Sequence, residues 1–311
     1  MADGPIGIGR RRFLVGSAGV AVLGALGGGY ELVEHEVVPG KARLDEMLGR
    51  TGVDEPDVGY REPGPSVGGS FFSAARGTRV GWTVSYPPGH RTGDRLPLVL
   101  ALHGYTGTHA YPIGPVSPVR LLAATLNGRP LPAMAIAAVD GGNGYWHAHP
   151  GDDPMRMLLT EFLPMCRQRG LGVGVDRRIG LTGESMGGYG DLLLAEQHPD
   201  MVAAVAAISP AVWTSYDDSQ NANPEAFLSP ADFAEHDVIT HASALHGIPV
   251  RIASGNDDPF HPYIEVLKQA LPKGSRVLFP PGLHNGAFFG SQAMPSLAFL
   301  GQFLTRRANR N

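Results

Sequence analysis

The chain has 311 residues, of which 43% are hydrophobic and 17% charged; that supports a sizeable buried core and excludes global disorder. The formal net charge is −4, and no dense basic stripe lies outside the two termini, which argues against a nucleic-acid partner. The single cysteine, Cys166, excludes an intrachain disulfide and any zinc site built on paired cysteines.

The chain opens on an address. Arg10-Arg11-Arg12-Phe13-Leu14 resembles the twin-arginine export signal. The 18 residues from Phe13 to Tyr30 carry no charge, but six of them are glycine, a composition too weakly apolar for a typical membrane span. Ala25-Leu26-Gly27 is a poor small-x-small cleavage site, so the segment reads either as a removed signal or as a tether to membrane or cell wall. An extracellular or cell-envelope location is expected. Residues 31–68 are polar and interrupted by prolines; they read as a spacer with one short helix around Ala42–Leu48.

From about Gly69 the pattern changes. Short apolar runs at Val80–Tyr86, Leu96–His103, Ala133–Asp140, Arg178–Gly183, Val202–Ser209, Pro249–Ser254 and Arg276–Pro280 predict strands. Most are continuous rather than alternating, as in a parallel sheet covered on both faces. Helical stretches lie between them. Asp153 is placed to cap a helix starting at Pro154 and kinked at Pro164. Further helices are predicted over Met186–Gln197, Tyr263–Leu271 and Met294–Arg306. Alternating strands and helices give an α/β fold with a mostly parallel central sheet. The polar stretch 210–246, with scattered aromatics, reads as an insertion over the site, so the catalytic domain is expected to span 69–311.

Gly183-Glu184-Ser185-Met186-Gly187 matches G-x-S-x-G, the nucleophile elbow. A second match, Gly64-Pro65-Ser66-Val67-Gly68, tests it. Prolines precede that one, no predicted strand feeds it and no helix follows. Ser185 instead follows the run Arg178–Thr182 and precedes a helix, the strand–turn–helix corner that exposes the serine hydroxyl. Gly187 and Gly188 allow helix and strand to approach closely.

A serine needs a base to take its proton, and in this fold the order is Ser, then acid, then His. Of the later histidines, His284 stands between the last strand run and the closing helix, where the fold presents its base. His261 lies too close to the acidic loop. In Gly255-Asn256-Asp257-Asp258-Pro259-Phe260, Asp258 is the favoured acid and Asp257 the alternative. The oxyanion donors are expected to be the N–H groups of Met186 and of Tyr105, after the run Leu98–Gly104. Tyr145, Trp146 and Trp213 read as aromatic contacts at the substrate mouth. A metal reading of His147, His149 and Asp152 is the weaker alternative for that glycine-rich loop.

Ser185 and its flanks, continuing as Gly188-Tyr189-Gly190, resemble the elbow of the esterase D family, in which tryptophan commonly stands where Glu184 does here. Gly69–Ser73 with Val84–Gly89, the His103-Gly104 step and Gly255-x-x-Asp258-Pro259-Phe260 also resemble that family. It includes S-formylglutathione hydrolases, feruloyl esterases and mycobacterial mycolyltransferase antigens. The resemblance covers about Gly69 to Leu304. It implies an α/β-hydrolase fold and esterase or acyltransferase activity on a small-molecule or lipid ester, with no metal or organic cofactor. With the leader it points to an exported actinobacterial-type esterase. The alternatives are acyl transfer to a sugar or glycerol hydroxyl, or a non-catalytic surface module on a hydrolase scaffold.

Overall fold

A computed structural model describes residues 48, 52–53, 57–172 and 177–305. The leader, the short helix expected at 42–48 apart from Leu48, and most of the spacer fall outside these residues. The chain divides into two units, Met1–Gly52 and Val53–Asn311, and the description that follows concerns the second.

Eight strands form one sheet: β1 (Ser66–Ser73), β2 (Thr78–Ser85), β3 (Leu98–Leu102), β4 (Ala135–Val139), β5 (Ile179–Glu184), β6 (Val202–Ile208), β7 (Val250–Ala253) and β8 (Arg276–Leu278). Their spatial order is β8-β7-β6-β5-β3-β4-β2-β1. The β1–β2 and β2–β4 pairs are antiparallel and all others parallel. This is the α/β-hydrolase fold.

The central strands are apolar along their whole length because both faces are covered. In β3, Leu98, Leu100 and Leu102 enter one core cluster, while Val99 and Ala101 enter the other. Helix α1 (Pro118–Ala123) and the long closing helix α8 (Gly286–Leu304) cover the second face. The first is covered by α2 (Pro154–Met157), α3 (Leu163–Gln168), α4 (Met186–Gln197) and α7 (His261–Ala270). Asp153 caps α2 by accepting the Arg156 N–H, with Pro154 in the first turn. Pro164 has no N–H to give, and its disturbance appears as a π turn at Leu158–Phe162 between α2 and α3. Between β6 and β7 the insertion carries α5 (Tyr216–Ala222) and α6 (Pro230–Glu235), capped by the Ser215 and Ser229 hydroxyls.

Two expected boundaries are corrected. The folded unit begins before Gly69: Val58–Tyr60 pairs with Ala124–Leu126 in a small second sheet, and β1 begins at Ser66. Strand β1 lies at the sheet edge and is largely exposed, so its small polar residues give no apolar run. The last helix starts at Gly286 rather than Met294, because Asn285 accepts the Phe288 N–H and fixes its first turn.

Candidate active site

Ser185 sits in the turn between β5 and α4 with φ 53° and ψ −119°. A non-glycine residue there costs about 1–3 kcal/mol, and the surroundings hold it in place. Its N–H donates to Ile208 O at 2.9 Å, and its carbonyl accepts from Tyr189 and Ala211, both at 3.0 Å. Burial of a Leu or Val side chain contributes about 1.5–3 kcal/mol, so a few of the fully buried residues in β3 and α4 offset the strain. Gly187 makes the corner feasible, since a Cβ there would overlap the Leu102 carbonyl.

The structure brings the expected acid and base to this serine. His284 Nε2 lies 2.9 Å from Ser185 Oγ, and His284 Nδ1 lies 2.8 Å from Asp258 Oδ2. The Asp258 side chain is buried, and its other oxygen accepts the Phe260 N–H at 2.8 Å. A carboxylate held this way keeps the imidazole proton on Nδ1 and leaves Nε2 free to accept from the serine. Asp258 and His284 lie on loops that follow the neighbouring strands β7 and β8. Asn256 Oδ1 accepts the Gly282 N–H, and a Cβ on Gly255 would overlap the Gly282 carbonyl, so the two loops run in contact. Phe260 and Phe289 flank the His284 ring, each at 5.0 Å between centroids.

Tyr105 and Met186 stand at equivalent positions beyond the ends of adjacent strands. Leu102 pairs with Gly183, and each candidate donor follows three residues later. Met186 opens α4, where the first N–H groups have no intrahelical acceptor. The loop carrying Tyr105 is fixed from several sides. The Gly141 N–H donates to His103 Nε2 at 2.8 Å, so His103 carries its proton on Nδ1 and gives it to Gly104 O, also at 2.8 Å. Burial lowers the His103 pKa and favours this neutral form. Asp140 accepts the His109 and Gly81 N–H groups, and Asn143 accepts the Thr106 N–H. Glu184, beside Ser185, accepts the Gly114 N–H. Burial pushes its pKa up to about 7, against the opposing influence of that hydrogen bond and of His284.

A family model described as putative esterase matches residues 73–269, more than half the chain. The chain belongs to the esterase family. The family is one of serine hydrolases, so this esterase is an enzyme whose substrates are small-molecule esters. No curated protein matches the chain in sequence. Solved structures share its fold. A ferulic acid esterase is 22% identical, with a TM-score of 0.62 over 77% of this chain and 97% of its own. An S-formylglutathione hydrolase from Agrobacterium tumefaciens is 18% identical, with 0.61 over 81% and 100%. MPT51 of Mycobacterium tuberculosis is 17% identical, with 0.58 over 78% and 99%.

The aromatic residues expected at the esterase's mouth lie deeper. Trp146 is fully buried: its ring packs against His103 and lies where a Cβ on Gly141 or Gly190 would go, and Nε1 donates to His103 O. It supports the loop from beneath and is not open to a substrate. Tyr145 and Trp213 are also buried and pack on each other and on Phe227; Trp213 reaches Phe260, which touches His284. They form a wall behind the triad. Tyr105, by contrast, is exposed. Tyr145 and Trp146 both have positive φ, 49° and 60°, and this strained turn is held by Arg76, which forms a two-pronged pair with Asp152 and donates to Asp140 O. Asp152 is therefore committed to Arg76 and His149 Nε2 to the Gly144 carbonyl, so His147, His149 and Asp152 do not converge. Sequence reasoning missed His103 as a strut, because its partner lies 38 residues away.

Proposed function

We propose that the chain is a serine esterase in which Ser185, His284 and Asp258 act as nucleophile, base and acid. The observation that carries this reading is the unbroken relay from Ser185 Oγ through His284 to Asp258, with separations of 2.9 and 2.8 Å. Ser185 Oγ attacks the acyl carbon while its proton passes to His284 Nε2. Asp258 stabilises the imidazolium without taking the proton. The oxyanion accepts from the N–H groups of Met186 and Tyr105. The intermediate collapses, and the alcohol leaves with the proton from His284. Water, activated by the same histidine, then releases the carboxylic acid and regenerates Ser185. Export by the twin-arginine route, with a cell-envelope or extracellular location, is part of the proposal and rests on Arg10-Arg11-Arg12-Phe13-Leu14.

The test is a series of p-nitrophenyl esters from short to long acyl chains, run with and without a sugar or glycerol as acceptor. Labelling by a fluorophosphonate probe is mapped in parallel by mass spectrometry. The expected result is one label per chain, on Ser185, and release of free acid even with the acceptor present. A folded protein that neither labels nor turns over any ester overturns the reading, and acyl-sugar or acyl-glycerol as the main product redirects it to acyl transfer.

A further inference from the structure

Glu184 closes β5 and stands one residue before Ser185, yet it takes no part in the proton transfers above. A carboxyl in this place is costly, because burial disfavours its charge. Its contacts show what the place is used for. The Gly114 N–H donates to Oε2. The side chain also lies against Gly104: a Cβ there would stand 3.5 Å from Glu184 Cγ and 3.6 Å from Oε1. Gly104 and Gly114 lie near the two ends of the loop that leaves β3 and carries the Tyr105 N–H, so one side chain meets both.

Two further anchors of that loop, Asn143 for the Thr106 N–H and Asp140 for the His109 N–H, both come from the segment after β4. In the sheet order, β3 separates β4 from β5, so Glu184 supplies the hold from the other side, where Ser185 is. Gly114 has little room to retreat from it. Its φ is 63°, and a Cβ on it would stand 2.7 Å from Gly290 N in α8. Helix α8 begins two residues after His284. Gly114 therefore sits between the carboxyl of the elbow and the helix that follows the base.

We propose that Glu184 is a positioning residue of the esterase reaction: by holding the Gly114 N–H, its carboxyl oxygen sets the loop so that the Tyr105 N–H meets the oxyanion formed at Ser185. The inference rests on the serine-esterase reading, with Tyr105 as an oxyanion donor. Such a donor acts within about 2.7–3.1 Å of the oxygen, and a displacement of about 1 Å at a reacting group costs up to about 100-fold in rate. Gly104, Gly107 and Gly114 give this loop backbone freedom, so its rigidity has to come from outside anchors. The bond to Gly114 needs an oxygen rather than a charge, since a protonated carboxyl still offers its carbonyl oxygen. A glutamine offers one as well, whereas alanine and leucine do not.

The experiment compares wild type with Glu184→Ala, Glu184→Leu and Glu184→Gln in steady-state kinetics on the preferred p-nitrophenyl ester. The unfolding midpoint and fluorophosphonate labelling of each protein are measured beside it. Glu184→Ala should lower kcat by about 10–100-fold while KM stays within about threefold of wild type, because the oxyanion donor serves the transition state. Glu184→Leu keeps bulk against Gly104 but has no acceptor; it should show the same loss, and it carries the test if the alanine variant does not fold. Glu184→Gln should bring kcat back to within about threefold of wild type. Glu196→Ala, which removes a buried carboxyl from the far end of α4, should leave kcat within about twofold. Unchanged kcat in a folded alanine or leucine variant overturns the proposal. So does a loss that glutamine does not restore, which would assign the role to charge, and so does a loss that falls on KM alone, which would place Glu184 against the substrate. In all three cases an active wild type leaves the esterase reading standing. A wild type that neither labels nor turns over any ester overturns both.

Discussion

The chain contains two serines in the same five-residue frame, and they end in opposite circumstances. Ser66 begins an extended edge strand, is exposed, and its hydroxyl meets Ser85 Oγ at 3.1 Å. Ser185 follows a buried strand, turns through a positive φ into a helix, and meets His284. Both frames supply flanking glycines. What separates them is what the chain does next: β1 continues straight from Ser66, whereas α4 begins immediately after Ser185. The corner throws the hydroxyl out at the carboxyl end of the sheet, next to the loops that follow β7 and β8. The motif has chemical meaning only where the fold bends the backbone.

The largest effect that tests this contrast is catalytic. Ser185→Ala should lower kcat by a factor of about 10³ or more, equivalent to about 4 kcal/mol of transition-state stabilisation, with the unfolding midpoint close to wild type. Ser66→Ala should leave ester turnover within about twofold of wild type, since its lost hydrogen bond is at an exposed edge. Steady-state kinetics on the preferred ester decide it. Substantial turnover by Ser185→Ala breaks the comparison at its root.

The glycines provide the next test, in stability. A Cβ on Gly187 would run into the Leu102 carbonyl, backbone that cannot rotate away, whereas one on Gly68 approaches Trp82 O at 3.0 Å from an exposed strand. Gly187→Ala should therefore cost about 3 kcal/mol or more, and Gly68→Ala should stay within about 1 kcal/mol of wild type. Urea denaturation of the two variants measures both. Equal costs would mean that the corner relaxes freely and that close approach of α4 to β3 is not what shapes it.

The same contrast explains what the sequence could reveal. The interior strands were legible because a parallel strand covered on both faces is a continuous apolar run; β3 is buried at all five positions. Edge strand β1 showed only through the family resemblance of Gly69–Ser73 and not as an apolar run, because only its half-covered face carries Val67 and Phe71, too sparse a signal among serines and glycines. That Ser185, His284 and Asp258 meet could be expected from the sequence, because each follows a strand end and they stand in the order the fold uses. Trp146 was misjudged because Gly190, one of the two glycines whose space its ring fills, lies in α4, far along the chain, and no local pattern tells a tryptophan filling a glycine gap from one facing solvent. The metal alternative of His147, His149 and Asp152 fails on a contact the sequence does not show: Arg76, 76 residues away, takes both oxygens of Asp152.

The smallest effect concerns Glu184, the residue just before Ser185 in the elbow. The decoy carries Pro65, exposed, where the true elbow carries Glu184. Burial raises the folded-state pKa of Glu184 from the ordinary 4.5 to about 7. Between those values the folded state binds more protons than the unfolded state, so this group's contribution to stability falls as pH rises. Asp191 and Glu196 are also raised by burial and tilt the wild-type profile in the same direction. The difference between Glu184→Gln and wild type cancels them. Glutamine keeps an oxygen for the Gly114 N–H but does not ionise, so its stability relative to wild type should be lowest near pH 4.5 and grow by about 1–3 kcal/mol above pH 7. Chemical denaturation of both proteins across that range measures the difference. A flat line would mean that Glu184 ionises in the folded protein as it does in the unfolded chain. The glutamate would then be no more constrained than the exposed Pro65 of the decoy, and the Gly114 loop would have to be held against the elbow by other contacts.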